Sequence, residues 1–138
     1  MSLKKEGQIS IEYMAIVSFV TVILILLIVI SNYYSRGTED QIIANQVDQL
    51  AKQIIDTAES VYYFGEPSKN TIKAFMPDKV ELINITTNEI VFVIRTQQGN
   101  SDIAYSSSVN LTGAIQKTPG IHYINVEAKE GYIWINST

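Results

Sequence analysis

The side chain with the clearest chemical consequence is Glu12, a carboxylate that directly precedes a long apolar segment. From Tyr13 to Ser35 the sequence contains no charged residue. A charge inside a bilayer costs several kcal/mol at the centre and less near the edge, so Glu12 either stays among lipid headgroups or acquires a cationic partner. The position of Glu12 therefore predicts either a charge at the membrane interface or an ion pair.

The rest of the sequence contains no pattern of a catalytic or metal site. It has no cysteine and one histidine, which excludes disulfides, thiolate chemistry and a multi-histidine metal site within one copy. No Gly-x-Ser-x-Gly motif or phosphate-binding loop occurs, and Glu39 with Asp40 is interpreted as the solvated first turn of a helix. We therefore expect no enzyme activity and no cofactor. The net charge of −4 argues against a nucleic-acid partner.

The apolar segment itself is long enough to cross a membrane. Met14–Ile30 is almost entirely aliphatic, and a spanning helix needs roughly 17–25 apolar residues. Lys4 and Lys5 precede it, so the positive-inside rule predicts a cytoplasmic N-terminus and an extracytoplasmic C-terminal region. A secretory signal peptide would have a shorter apolar stretch and a small-residue cleavage site after it. The sequence therefore favours a retained membrane anchor.

The residues before this segment form an ordered pattern. Lys4-Lys5-Glu6-Gly7 is followed by Gln8-Ile9-Ser10-Ile11-Glu12-Tyr13 and then by the aliphatic run. This order resembles the class III signal peptide of archaeal type IV prepilins. Each residue alone would be unspecific, and the specificity lies in their combination.

The resemblance implies that a prepilin peptidase cuts between Gly7 and Gln8 and removes the leader, residues 1–7. The recognition motif would be Gln8, Ser10, Glu12 and Tyr13. The resemblance also implies a filament made of many copies of this chain, with an assembly ATPase and a membrane platform protein as partners. Adhesion or surface attachment would be the role of such a filament, and before assembly the subunit would be anchored in the membrane.

Cleavage after Gly7 gives Glu12 a specific candidate partner. It creates an α-amino group within about one and a half helical turns of Glu12. In a filament whose apolar helices pack away from water, the carboxylate would need a cation, and the α-amino group of a neighbouring subunit could supply it and set the axial stagger. The simpler interpretation stays open, namely that Glu12 is an interfacial residue favoured near a helix N-terminus.

A second helical pattern follows the filament-core segment, residues 8–36. Within residues 37–65, apolar side chains recur at spacings of three and four, at Ile43, Val47, Leu50, Ile54, Ala58 and Val61. This pattern predicts an amphipathic helix. The helix either restarts at Thr38 as an N-cap or continues without a break from about Gln8 to Phe64, and Gly65 is suited to end it.

Residues 66–138 change to the alternating pattern of β-strands. Strands are predicted at Lys79–Ile85, Glu89–Arg95, Asp102–Val109, Ile121–Ala128 and Gly131–Asn136. Residues 101–118 are predicted to be loop or edge strand. The predicted fold class is α+β, with a long N-terminal helix packed against an antiparallel sheet of four or five strands, which is the ladle shape of pilins.

Three Asn-x-Ser/Thr sequons begin at Asn84, Asn110 and Asn136. All three fall in the predicted extracytoplasmic domain, which indicates N-glycosylation, although they could also be ordinary turn asparagines.

Other functions remain open from the sequence. The chain could be a minor pilin or a pseudopilin of a secretion or DNA-uptake machine. An archaellin is disfavoured, because Gln8–Tyr13 departs from the Gly/Thr-rich start of that family. A single-pass anchored binding module that never polymerises would tolerate substitution of Glu12.

The processing prediction can be tested by N-terminal sequencing and intact mass of the native, cell-associated protein. We expect a chain that begins at Gln8 and keeps the apolar segment, with any excess mass reporting glycans. A start beyond Ile30 would instead identify an ordinary signal peptide. A mass equal to that of the unmodified mature chain, which begins at Gln8, would refute glycosylation in that preparation.

Overall fold

The computed structural model describes the backbone of residues 3–138 and the side chains of residues 10–35 and 37–138. The chain forms two units, Met1–Thr38 and Glu39–Thr138. The first consists of the N-terminal part of helix α1, which spans Leu3–Phe64. The second contains the remainder of α1 and all seven strands. The predicted processing site, Gly7 and Gln8, lies in the described helix backbone, but the side chain of Gln8 lies outside the described residues.

The helix does not restart at Thr38. The Thr38 hydroxyl donates a hydrogen bond to the Tyr34 carbonyl, at 3.2 Å, inside the helix. This bond to the carbonyl four residues earlier is typical of a threonine within a helix and not of an N-cap. The continuous alternative is therefore the observed one. The helix ends as predicted, because Gly65 has a left-handed φ of 74° and its amide donates to the carbonyls of Val61 and Tyr62.

The predicted apolar stripe of the helix forms part of the core of the C-terminal unit. All six of its members are buried, with relative exposures of 5% or less: Ile43, Val47, Leu50, Ile54, Ala58 and Val61. They belong to one hydrophobic cluster with the inward-facing side chains of the strands. The helical periodicity thus identified the buried face correctly.

The strands form two sheets. Their bounds are β1 Lys69–Met76, β2 Val80–Ile85, β3 Glu89–Thr96, β4 Gly99–Ser106, β5 Leu111–Ala114, β6 Gly120–Lys129 and β7 Tyr132–Ser137. One sheet has the order β1-β6-β7-β5, and the other has the order β2-β3-β4. The fold is α+β, as predicted, but with seven strands in two sheets where four or five strands in one sheet were expected.

The individual strand predictions differ in accuracy. The β2–β3 pair and the β6–β7 hairpin are confirmed to within two residues at each end. In β3, Ile90, Phe92 and Ile94 are buried, whereas Val91 and Val93 on the opposite face are half-buried. The strand predicted at Asp102–Val109 corresponds to β4, which begins and ends three residues earlier, at Gly99 and Ser106. Residues 101–118 contain most of β4 and all of β5, and both are edge strands with one hydrogen-bonded neighbour each. No strand was predicted over Lys69–Met76, which forms β1.

The short strand β5 pairs with β7 in parallel, whereas all other strand pairs are antiparallel. Gly113 lies opposite Ile135 in this pair. A Cβ atom on Gly113 would lie 1.8 Å from the Ile135 carbonyl oxygen, and its φ of 140° is also unfavourable for other residues. The close approach of the two backbones therefore requires glycine at this position.

We expect Gly113→Ala to destabilise the C-terminal unit by about 3 kcal/mol or more, because it combines backbone strain with a collision against main-chain atoms. Gly120→Ala is the matched control, since Gly120 has a φ of 125° but open space around its Cβ position, and it should cost about 1 kcal/mol. Thermal unfolding of the full chain in detergent micelles, followed by circular dichroism, measures both. Equal losses in the two variants would contradict the steric explanation.

Candidate functional site

The N-terminal unit has an apolar surface that nothing in its own unit covers. Every side chain from Ser10 to Ser35 is exposed, including Ile11 at 70% and Leu27 at 56% of full exposure. The helix that carries these side chains is long and apolar enough to cross a membrane. Such a large apolar surface is unfavourable in water, so it requires lipid or other protein around it.

Polar side chains within this segment are satisfied by the helix itself. The Thr21 hydroxyl donates to the Val17 carbonyl at 2.7 Å, and the Asn32 amide donates to the Ile28 carbonyl at 2.9 Å. Both bonds reach back four residues along the helix. They remove donors that would otherwise be costly to place in an apolar environment.

The described motif residues lie close together at the start of the apolar surface. Ser10, Glu12 and Tyr13 are exposed within one helical turn. Among the residues whose side chains are described, no cation lies within ion-pair distance of the Glu12 carboxylate. The Glu12 carboxylate thus lies at the edge of an apolar surface. A cationic group from outside the described side chains could pair with it there.

The three sequon asparagines lie in the C-terminal unit and all are exposed. Asn84 is in β2 and Asn136 is in β7, while Asn110 precedes β5 and its side-chain amide donates to the Gly131 carbonyl at 3.3 Å. They are positioned on separate strands or loops and form no common site. Their exposure is compatible with attached glycans, and glycosylation itself stays a prediction.

The second unit contains three helix carboxylates whose roles were not predicted. Asp40 accepts hydrogen bonds from the Gln97 amide at 3.1 Å and from Lys79 Nζ at 3.2 Å. Lys79 also pairs with Glu39 at 3.3 Å. The interpretation of Glu39 and Asp40 as a solvated first helical turn is therefore wrong, because the helix continues through them and both carboxylates contact a lysine that precedes β2.

The other two carboxylates hold the chain at and after β4. Asp48 accepts a 2.6 Å hydrogen bond from the Tyr105 hydroxyl. Glu59 accepts hydrogen bonds from the amide and the hydroxyl of Ser108, at 3.0 and 2.7 Å. Burial, together with the Asp48 carboxylate, raises the pKa of Tyr105 to about 12. The tyrosine therefore stays a neutral donor at physiological pH.

These contacts lower the pKa of each of the three carboxyl groups. The main cause is a hydrogen bond in each case: from the backbone amide of Gln97 to Asp40, from the Tyr105 hydroxyl to Asp48, and from the backbone amide of Ser108 to Glu59. Nothing in the sequence pattern distinguishes these residues from Asp56, an exposed acid on the same helix. Only the tertiary structure identifies them as contacts between the helix and the strand region.

Comparison of the chain with protein-family models, with curated proteins and with solved structures gave no match.

The lowered pKa values predict acid sensitivity of the C-terminal unit. The ordinary pKa values are 3.8 for aspartate and 4.5 for glutamate. A carboxyl group whose folded pKa is depressed contributes stability above its ordinary pKa and loses it as pH falls through the folded value. The stabilising contribution should therefore be complete at pH 7 and decline below about pH 5.

Asp48→Asn and Glu59→Gln should each lower the melting temperature at pH 7 and flatten its dependence on pH between 7 and 3. Asp56→Asn is the matched control and should resemble the parent protein. Melting of the full chain in detergent micelles at several pH values measures the effect. Curves for Glu59→Gln and the parent that stay parallel down to pH 3 would count against this role of the carboxylate.

Proposed function

We propose that the protein is the structural subunit of an extracellular filament of the type IV pilus kind. After removal of the leader by a prepilin peptidase, the apolar helices of many copies pack into the filament core. The C-terminal units lie at the filament surface and serve in adhesion. Before assembly the same helix anchors the subunit in the membrane.

The observation that carries the proposal is the exposed apolar surface of the N-terminal unit together with the motif at its start. One copy leaves the side chains from Tyr13 to Ile30 exposed. A membrane can cover them, and so can identical helices from neighbouring copies. Assembly then exchanges lipid contacts for close helix packing.

Glu12 favours a bundle of helices over a simple anchor. A lone anchor gains nothing from a carboxylate at the edge of its span, because the charge resists deeper insertion. In a bundle the same carboxylate can pair with the new α-amino group of a neighbouring copy. That pair fixes which axial position each subunit takes, a role in specificity for which buried ion pairs are suited.

The proposal includes partners that act before and during assembly. Besides the peptidase, these are an assembly ATPase and a membrane platform protein, as the resemblance implies. The acidic balance of the chain, with 14 acidic and 10 basic residues, favours a partner other than nucleic acid.

Glu12→Ala should leave membrane insertion and N-terminal processing intact but prevent filament formation. Loss of one partner of a buried ion pair costs roughly 3–5 kcal/mol, which is at least about a hundredfold in the equilibrium for adding a subunit. Asp56→Ala is the control, since it removes an exposed helix carboxylate outside the apolar segment. N-terminal sequencing of membranes and electron microscopy of sheared filaments give the two readouts.

Normal filament yield from Glu12→Ala would refute the pairing role. Wild-type protein that is processed and inserted, but stays monomeric in membranes of its own cells, would favour the anchored binding module. Filaments in which this chain is a trace component would identify a minor pilin.

A further inference from the structure

The outward face of the β1-β6-β7-β5 sheet carries a shallow cavity beside the tryptophan. It has a volume of about 340 Å³, within the range of small-molecule sites. Its lining combines one aromatic ring with amide, hydroxyl and charged groups, from Lys69, Thr71, Asn125, Glu127, Trp134 and Asn136. None of these residues belongs to the N-terminal unit or to the carboxylate contacts of the helix.

Strand register explains why these side chains meet. Lys69 lies opposite Glu127, and Glu127 lies opposite Trp134. One step along the sheet, Thr71 lies opposite Asn125, and Asn125 lies opposite Asn136. The result is two adjacent rows of three side chains on one face of the sheet, because alternate residues of a strand point to the same side.

Two polar side chains of the cavity, Asn125 and Glu127, each have one hydrogen-bond partner within the sheet. The Thr71 hydroxyl donates to Asn125 Oδ1 at 2.7 Å, which leaves the Asn125 Nδ2 hydrogens for another acceptor. Lys129 Nζ donates to Glu127 Oε1 at 2.7 Å, which leaves Glu127 Oε2 as an acceptor. This bond with Lys129 also lowers the pKa of Glu127, so its carboxylate is ionised at neutral pH.

The ring of Trp134 is accessible from outside. Its neighbours in β7, Ile133 and Ile135, are completely buried, whereas Trp134 is 42% exposed. An aromatic ring on the solvent side of a sheet, with hydrogen-bonding groups beside it, provides a flat apolar surface next to fixed polar contacts. This is the composition expected of a site for a ligand that is apolar on one face and polar at its edge.

We propose that this cavity binds a pyranose sugar, with one face of the sugar ring stacked on Trp134 and its hydroxyl groups bound by Glu127 and Asn125. A pyranose has an apolar face of C–H groups and a rim of hydroxyls that both donate and accept. The free Glu127 oxygen accepts from one hydroxyl, and the Asn125 amide donates to a neighbouring one. An apolar ligand that covered both groups would remove their water without replacing its hydrogen bonds, which costs free energy.

Two sources can supply a sugar to this cavity. One is a glycan from outside the protein, and the other is a glycan attached to Asn136, which itself lines the cavity. Both present the same chemistry to Trp134. The inference does not require filament assembly, because every residue of the cavity lies in the C-terminal unit.

The protein contains one tryptophan, so its fluorescence reports on this cavity directly. The experiment uses the unglycosylated full chain in micelles of a detergent without a sugar headgroup. The probes are methyl glycosides of glucose, galactose, mannose and N-acetylglucosamine. We expect a saturable change in tryptophan emission with at least one of them, with a dissociation constant of about 1 mM, as befits a shallow one-sugar site.

Glu127→Gln and Asn125→Ala should each weaken this binding about tenfold or more while Trp134 remains as the reporter. Glu130→Gln is the matched control, because Glu130 is exposed in the turn between β6 and β7 and does not line the cavity. Circular dichroism verifies that each variant is folded. Trp134→Ala should abolish binding in saturation-transfer NMR, which needs no tryptophan.

The source is distinguished with native glycosylated protein. If free sugars bind it as they bind the unglycosylated chain, the site takes an external glycan. If they bind only after Asn136→Gln, the attached glycan occupies the cavity. The proposal is overturned if no sugar changes the emission up to about 50 mM, if Glu127→Gln and Asn125→Ala bind as well as the parent, or if the emission depends only on self-association of the protein.

Discussion

The exposed apolar surface of the N-terminal helix constrains where this protein can be stable, because that surface must be covered by an apolar environment. Burying apolar area is worth roughly 25 cal/mol per Å², and the side chains from Tyr13 to Ile30 are exposed in a single copy. An environment for this surface must therefore come from lipid or from other protein. The helix meets the demands of both environments, because its backbone bonds are internal and Thr21 and Asn32 donate to its own carbonyls.

The apolar side chains of the C-terminal core are buried by residues of the same unit. The apolar stripe of its helical part is covered by the strands, and Asp40, Asp48 and Glu59 add directional hydrogen bonds. Burial of apolar area is the dominant favourable term in folding, and it has no directional preference. The carboxylates contribute geometry, since each accepts from a defined group on a particular strand or loop.

Local periodicity in the sequence predicted part of the fold. The stripe from Ile43 to Val61 repeats at helical spacing, and the hairpin of β6 and β7 alternates with a clear turn, so both were recognised. Strand β1 was not predicted, because the exposed Phe75 interrupts its apolar alternation. Strand β5 was covered only by the expectation of loop or edge strand, because four residues with a glycine carry no alternation, and its parallel pairing depends on the close approach of Gly113 to Ile135. The contacts of Asp48 and Glu59 join residues 49 or more positions apart, which no local pattern encodes.

The same distinction applies to the two candidate sites. The motif around Glu12 is contiguous and was recognised in the sequence, whereas the cavity at Trp134 is formed by residues from three strands and became visible only through their register. A site on paired strands is held more rigidly than one on a loop. This rigidity favours a weak ligand, because binding then loses little conformational entropy of the protein. In the proposed filament this cavity would recur once per subunit, at regular intervals along the filament. Many weak sites on one rigid polymer raise avidity by effective concentration, so a millimolar sugar site would be sufficient for attachment.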